Sequence, residues 1–234
     1  MTTENDNPTT LSLELSQRSG SVAVSNNSGT VLETKVDSGK RESDDVLPAL
    51  DELSTKLGIL PNTIELVVVS TGPGGFTGLR SAISIAKMVS LVSGASVLPI
   101  ETAISVAINA NLGNGPFCVI SGVKQDTFWV SFVNRKEGFW VCDAFISNNR
   151  EIENKLDSKT IVFGDSYLPQ SISKMCDSKK IQIVETTTSA SSLLSYGVDI
   201  YKNDNNVTID PRKLLPLYPR EPEAVRVWNE NRST

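Results

Sequence analysis

The residues best suited to chemistry lie in one stretch, Ser70-Thr-Gly-Pro-Gly-Gly-Phe-Thr-Gly-Leu-Arg80. Its glycines can adopt positive φ and let backbone approach something closely. Thr77 has a side chain able to cap a helix by accepting a bond from an orphan amide. A helix start of this kind favours an anion. Gly72, Gly74, Gly75, Thr77 and Gly78 are therefore the candidate anion or nucleotide loop. The same composition also suits a tight connection that holds no ligand, and both readings stand at this level.

Two nucleotide motifs can be tested directly. A P-loop needs Gly-x4-Gly-Lys-Ser/Thr, and the stretch has no lysine. A dinucleotide turn needs Gly-x-Gly-x-x-Gly; Gly72 and Gly74 begin it, but Gly78 falls one residue late. Glu101 does stand where an acid would close the next strand. A nucleotide-binding enzyme using loop 72–78, ATPase or NAD-dependent, is thus the alternative function.

The chain has no histidine. Ser-His-Asp and Cys-His arrangements are excluded, as are His-based zinc sites. Cys118, Cys142 and Cys176 lack metal-ligand spacing, and an odd cysteine count suits a reducing cytoplasm. Carboxylate or lysine catalysis stays open, but no catalytic residue and no metal ligand is assigned.

The 234 residues suffice for two lobes of about 100 residues each. Residues 1–120 hold 12 acids against 7 bases, and residues 121–234 hold 15 against 15, so the net charge of −5 sits in the first half. No basic face is visible, which points to an indirect link to any RNA. Residues 1–10 read as a disordered polar leader, and no apolar run is long enough to span a membrane.

These residues must be positioned by the elements around them. Leu11–Leu15, Ser21–Val24 and Val31–Val36 read as three antiparallel strands. Glu14, Ser16, Gln17 and Arg18, at the first turn, read as solvated or as facing a phosphate or metal. A helix opening at Asp44 or Asp45 carries Val46, Leu50, Leu53 and Leu57 on one stripe and ends at Gly58. The buried strand Ile64–Val69 leads into the loop. The helix after it, Thr77–Ser93, is apolar nearly all round, with Leu79, Ile83 and Ala86 on one face and Ile85, Met88, Val89 and Val92 on another. Such a helix needs burial on more than one side, one against its own sheet and another against a partner. Val46, Leu50, Leu53, Leu57, Leu79, Ala82, Ile85, Ala86 and Val89 are the candidate interface.

A strand, Ser96–Ile100, has Pro99 at its end or on a bulge. A helix over Glu101–Ala110 precedes a loop of turn formers at 111–116. The predicted organisation is an N-terminal lobe over 11–113 and a C-terminal lobe over 116–234, whose tail is free to pack back on the first. The second lobe repeats the opening pattern of strand, turn and hairpin. Helices at Ser147–Leu156, Leu168–Met175 and Ser189–Tyr201 alternate with short strands, and Glu223–Glu230 reads as a last helical turn.

Gly72-Pro-Gly-Gly-Phe-Thr-Gly-Leu-Arg80, followed by an Ala/Ile-rich helix with Lys87, resembles the signature of the TsaB family. Residues 11–24, 43–53 and 124–130 resemble further family stretches, and Pro216-Leu-Tyr-Pro-Arg220 resembles its tail. There are departures. The family's first strand commonly ends Asp-Thr-Ser where this chain has Glu14-Leu-Ser16, a common histidine is Glu42, and a usual serine is Gly75. The resemblance implies a two-lobed actin-like ATPase (ribonuclease H-like) α/β fold, with small mixed sheets flanked by helices. It implies a non-catalytic role in forming threonylcarbamoyladenosine at position 37 of tRNA. The implied partners are a TsaD-like catalytic subunit and a TsaE-like ATPase, with ATP used by the complex, no cofactor held by this chain, and tRNA met indirectly. It also implies a homodimer through the same helix pair.

Overall fold

The computed structural model describes residues 7–37, 45–124, 127–165 and 168–218. The first sheet is built from β1 (Thr10–Glu14), β2 (Ser19–Ser25), β3 (Val31–Asp37), β4 (Leu66–Ser70) and β5 (Ser96–Ile100), in the order β3-β2-β1-β4-β5. β1, β2 and β3 pair antiparallel; β1, β4 and β5 pair parallel. The second sheet is built from β6 (Phe117–Lys124), β7 (Thr127–Lys136), β8 (Phe139–Asn148), β9 (Ile161–Gly164) and β10 (Ile183–Glu185), in the order β10-β9-β6-β7-β8. Again three strands pair antiparallel and two add parallel. The repeat read in the sequence therefore extends to strand order and direction.

Among the described residues six α-helices follow the same rhythm: α1 (Val46–Leu57), α2 (Phe76–Ser93), α3 (Thr102–Ala110), α4 (Asn149–Lys155), α5 (Gln170–Lys179) and α6 (Ala190–Asn203). α1 is stapled to the first sheet by Val46, Leu50 and Leu53, and Gly58 ends it in the left-handed region with φ 66°. α2 packs beside it, through Ala82, Ile83, Ile85 and Ala86. α4 opens on a capping box between Asn148 and Glu151. Together with α5 it covers one face of the second sheet through Ile152, Ile172 and Cys176.

The remaining two helices cross over. α3 leaves the first sheet but buries Ala103, Val106 and Ala107 against Phe117, Val119, Val133 and Phe163 of the second. α6 leaves the second sheet and buries Ala190, Leu193, Leu194 and Val198 against Ala23, Leu66, Val68 and Leu98 of the first. Gly197 permits the close approach: a Cβ there would stand 2.5 Å from a Val68 methyl. Each sheet is thus covered on its second face by a helix from the other half.

Several expectations are corrected. Pro99 lies inside β5, in register with Val69 and without a bulge; β5 is an edge strand, so a missing amide leaves no ladder bond unmade. Of the expected leader, residues 7–10 are ordered: Thr10 begins β1, and the Asn7 amide bonds the Asn27 carbonyl at 3.2 Å. Residues 1–6, Asp44 and the turn expected over Glu223–Glu230 lie outside the described residues.

Candidate functional site

The glycine loop is held on two sides by the chain itself. On one side sits the β1–β2 turn. The Gly75 amide donates to the Ser16 carbonyl at 2.7 Å. A Cβ on Gly74 would overlap the Ser16 carbonyl oxygen, and one on Gly78 would overlap the Leu15 carbonyl oxygen. On the other side runs the tail, Leu214–Tyr218. The Leu217 amide donates to the Thr71 carbonyl at 2.7 Å, and Leu214 is buried in the first core. Gly72, at φ +110°, takes a conformation side chains rarely adopt, and a Cβ there would stand 2.8 Å from the Leu217 carbonyl oxygen. Its own carbonyl accepts from Thr102, at the start of α3, at 2.9 Å. Gly75 alone has ordinary room, with its nearest neighbour 3.7 Å from a would-be Cβ. Three of the four glycines therefore serve contacts of backbone with backbone.

The helix start also differs from expectation. α2 begins at Phe76 with Gly75 as its N-cap and no side-chain cap. Thr77 lies exposed inside the first turn, so it does not cap the helix. The bond from Gly75 to Ser16 accompanies an N-cap two residues earlier than the Thr77 cap the sequence suggests. Beside it, the Phe76 and Tyr218 rings stack at 5.2 Å. The Arg80 guanidinium lies 3.7 Å over Phe76, and its Nε donates to the Tyr218 hydroxyl at 3.0 Å.

Behind the loop is a buried polar group. Glu14 and Ser16, whose sequence context suits either solvent or a phosphate or metal, are buried, at 0 % and 2 % exposed. α6 covers the second face of the sheet, so polar residues on that face have no water to reach. Burial pushes the Glu14 carboxyl above its ordinary range, against the hydrogen bonds that Ser16 donates to its Oε1 and the pull of the nearby Ser105 and Ser70 hydroxyls. Burial and the nearby Glu101 carboxylate push the Cys142 thiol up to about 12. Cys118 is pushed up by burial as well; it lies in the core, while Cys142 is half-buried at its edge. Among the described residues, no group of three or more cysteines and carboxylates comes together as a metal site.

The candidate interface residues divide. Val46, Leu50, Leu53, Leu79, Ala82, Ile85 and Ala86 are buried by the chain's own fold, and Leu57 and Val89 are half-buried against it. The apolar surface offered to solvent is instead Phe76, Met88, Leu91 and Val92 of α2, with Leu47 of α1. Met88 is 50 % exposed and Leu91 87 %. Met88 and Leu91 lie one turn apart on the outer side of the helix, with Val92 beside them, while Phe76 stands at its start under Tyr218 and Arg80. The sequence pattern found the helix but not which of its sides the sheet takes.

Two sheets of identical order, each with three antiparallel and two parallel strands, define the two-lobed ribonuclease H-like topology of the actin-like ATPase class. Solved structures of the same fold include a Pseudomonas aeruginosa protein described as similar to peptidase YEAZ, at TM-score 0.76 and 18% identity over 91% of this chain and 100% of that one. YeaZ from the same organism aligns at TM-score 0.71 and 16% identity, over 90% of this chain and 99% of that one. The family model for TsaD, tRNA N6-adenosine threonylcarbamoyltransferase, matches residues 35–202, and the chain belongs to that family. The TsaB resemblance is borne out by relatives bearing that name. Those of Buchnera aphidicola and Escherichia coli, both called tRNA threonylcarbamoyladenosine biosynthesis protein TsaB, are each 26% identical over 41% of this chain. The matched region spans 45% and 42% of their lengths, less than half of either. Among the described residues, no helix is long and apolar enough to cross a membrane.

Proposed function

We propose that this chain is a non-catalytic partner subunit in the formation of N6-threonylcarbamoyladenosine in tRNA. It docks on a TsaD-like catalytic subunit through the outer side of α2. The observation that carries this is the exposed apolar cluster Met88, Leu91 and Val92 at the C-terminal end of α2, with half-exposed Phe76 at its start, on a helix whose inner side is already seated on its own sheet. An apolar face of this kind gains free energy by burial against a partner. The family membership and the names of the TsaB relatives supply the reaction. The absence of any histidine fits a subunit that leaves metal chemistry to its partner. The seating of the glycine loop against the β1–β2 turn and the tail fits a structural loop rather than a phosphate cradle. A TsaE-like ATPase joins the pair and consumes ATP, tRNA is met through the partner, and the same α2 face supports a homodimer when the partner is absent.

The test is a reconstituted tRNA modification reaction with and without this chain. Omitting it is expected to abolish product, and full product in its absence overturns the reading.

A further inference from the structure

Arg80, Ser84, Met88 and Leu91 are exposed and follow one line down the outer side of α2, with Val92 beside its end. The line starts polar and ends apolar. The tail of the chain meets it at its start. The Leu217 amide is bound to the Thr71 carbonyl, ahead of α2. The next residue, Tyr218, stacks on Phe76 and accepts from Arg80, in the first turns of the helix. At Tyr218 the tail therefore lies on the outer side of α2, headed the way the helix runs.

The sequence continues Pro219-Arg-Glu-Pro-Glu-Ala-Val-Arg-Val-Trp-Asn-Glu230, outside the described residues. Pro216, Pro219 and Pro222 recur every third residue, the period of an extended polyproline helix. Four residues of that kind, at about 3.1 Å each, carry a chain about 12 Å from Tyr218 to Pro222. Eight residues of α-helix, at about 1.5 Å each, separate Arg80 from Met88 by the same distance of about 12 Å. A tail that stays extended to Pro222 thus delivers the next residues level with the apolar end of α2. Ala224, Val225 and Trp228 share one side of a helical turn there. The charges agree as well. α2 carries Arg80 and Lys87, both basic, and the extended run brings Glu221 and Glu223 past Lys87.

We propose that residues 223–230 fold back on the outer end of α2 of their own chain, where Val225 and Trp228 cover Met88, Leu91 and Val92. Burial of those side chains is the driving force, and the Tyr218 contacts with Phe76 and Arg80 set the starting point. An indole against Met88 adds a sulfur–aromatic contact. One consequence rests on the reading of α2 as the docking face: a catalytic subunit must displace the tail before it can dock.

The experiment is carbon-13 NMR of the whole chain labelled at its methionine methyls. Met88→Leu identifies the Met88 signal, and Met175, packed against the second core, reports the fold. The Met88 methyl is expected upfield, in the ring field of Trp228. It should return to the position of a solvated methionine in Trp228→Ala and part of the way in Val225→Ser, with Met175 unmoved. A Met88 signal already at the solvated position, or indifferent to both substitutions, overturns the proposal. So does an upfield signal lost on dilution, which marks the tail of a second copy. Where Leu91→Glu weakens capture of a TsaD-like subunit, Trp228→Ala is expected to strengthen it at least about threefold, and capture that ignores Trp228 overturns the displacement. The two readings fail separately. A Met88 signal that never moves, with capture still lost in Leu91→Glu, removes the cover and leaves the docking face; a signal that moves, with capture indifferent to Leu91→Glu, does the reverse.

Discussion

The Gly75 amide donates to the Ser16 carbonyl at 2.7 Å, so the first turn of the chain is seated on the glycine loop. That bond sets where α2 begins. It also explains why glycines crowd the loop: carbonyls of Leu15 and Ser16 stand where side chains on Gly78 and Gly74 would start.

Substitutions in the loop should therefore separate by contact. Gly74→Ala and Gly78→Ala set a methyl against a backbone carbonyl and are expected to cost at least about 2 kcal/mol. Gly75→Ser has room and supplies a capping hydroxyl, for a gain of a few tenths of a kcal/mol. Urea unfolding of the three variants checks the order, and equal losses at all three would contradict the contact account.

The tail is expected to hold the loop chiefly through Leu214. Leu214→Ala removes a fully buried side chain from the first core and should cost about 2–5 kcal/mol. Tyr218→Phe removes one exposed hydrogen bond to Arg80 while keeping the stack on Phe76, and should change stability by less than about 1 kcal/mol. Thermal melts of both variants provide the comparison.

Docking and folding should come apart on α2. Leu91→Glu and Met88→Glu alter exposed positions, and each is expected to weaken capture of a TsaD-like subunit at least tenfold, about 1.4 kcal/mol, with an unchanged melting temperature. Ile85→Glu places a charge in the first core and should unfold the chain. Binding that survives both outer substitutions in folded protein would remove α2 from the interface.

Thiol chemistry should report the intact fold. With Cys142 pushed up to about 12 by burial and the Glu101 carboxylate, and Cys118 raised further by burial, neither is a thiolate at mildly alkaline pH. Alkylation is expected to be slow in the native protein and to reach all three cysteines after denaturation. Rapid labelling of Cys142 in native protein would show that its surroundings open.

What was legible in the sequence was local. The α1 stripe, its stop at Gly58, both three-strand openings and the position of α2 follow from periodicity and turn residues. What was not legible was which element covers which face. Alternation in β1 marks Ser12 and Glu14 as the polar side, but α6, about 180 residues away in the chain, seals that side. An all-round apolar helix gives no sign of which side its own sheet takes, so Ile85 and Leu91 look alike until the sheet is in place. The Thr77 cap failed for a similar reason: the deciding partner, Ser16, is distant in sequence.

The crossing of α3 and α6 makes the two halves hostages of one another. A cut in the loop at 111–116 would part each sheet from the helix that shelters it, because each fragment carries the other's cover. Neither fragment could finish a core unaided, whereas the two mixed together would rebuild a single body. The clearest break in the sequence is thus a seam between lobes and not a boundary between folding units.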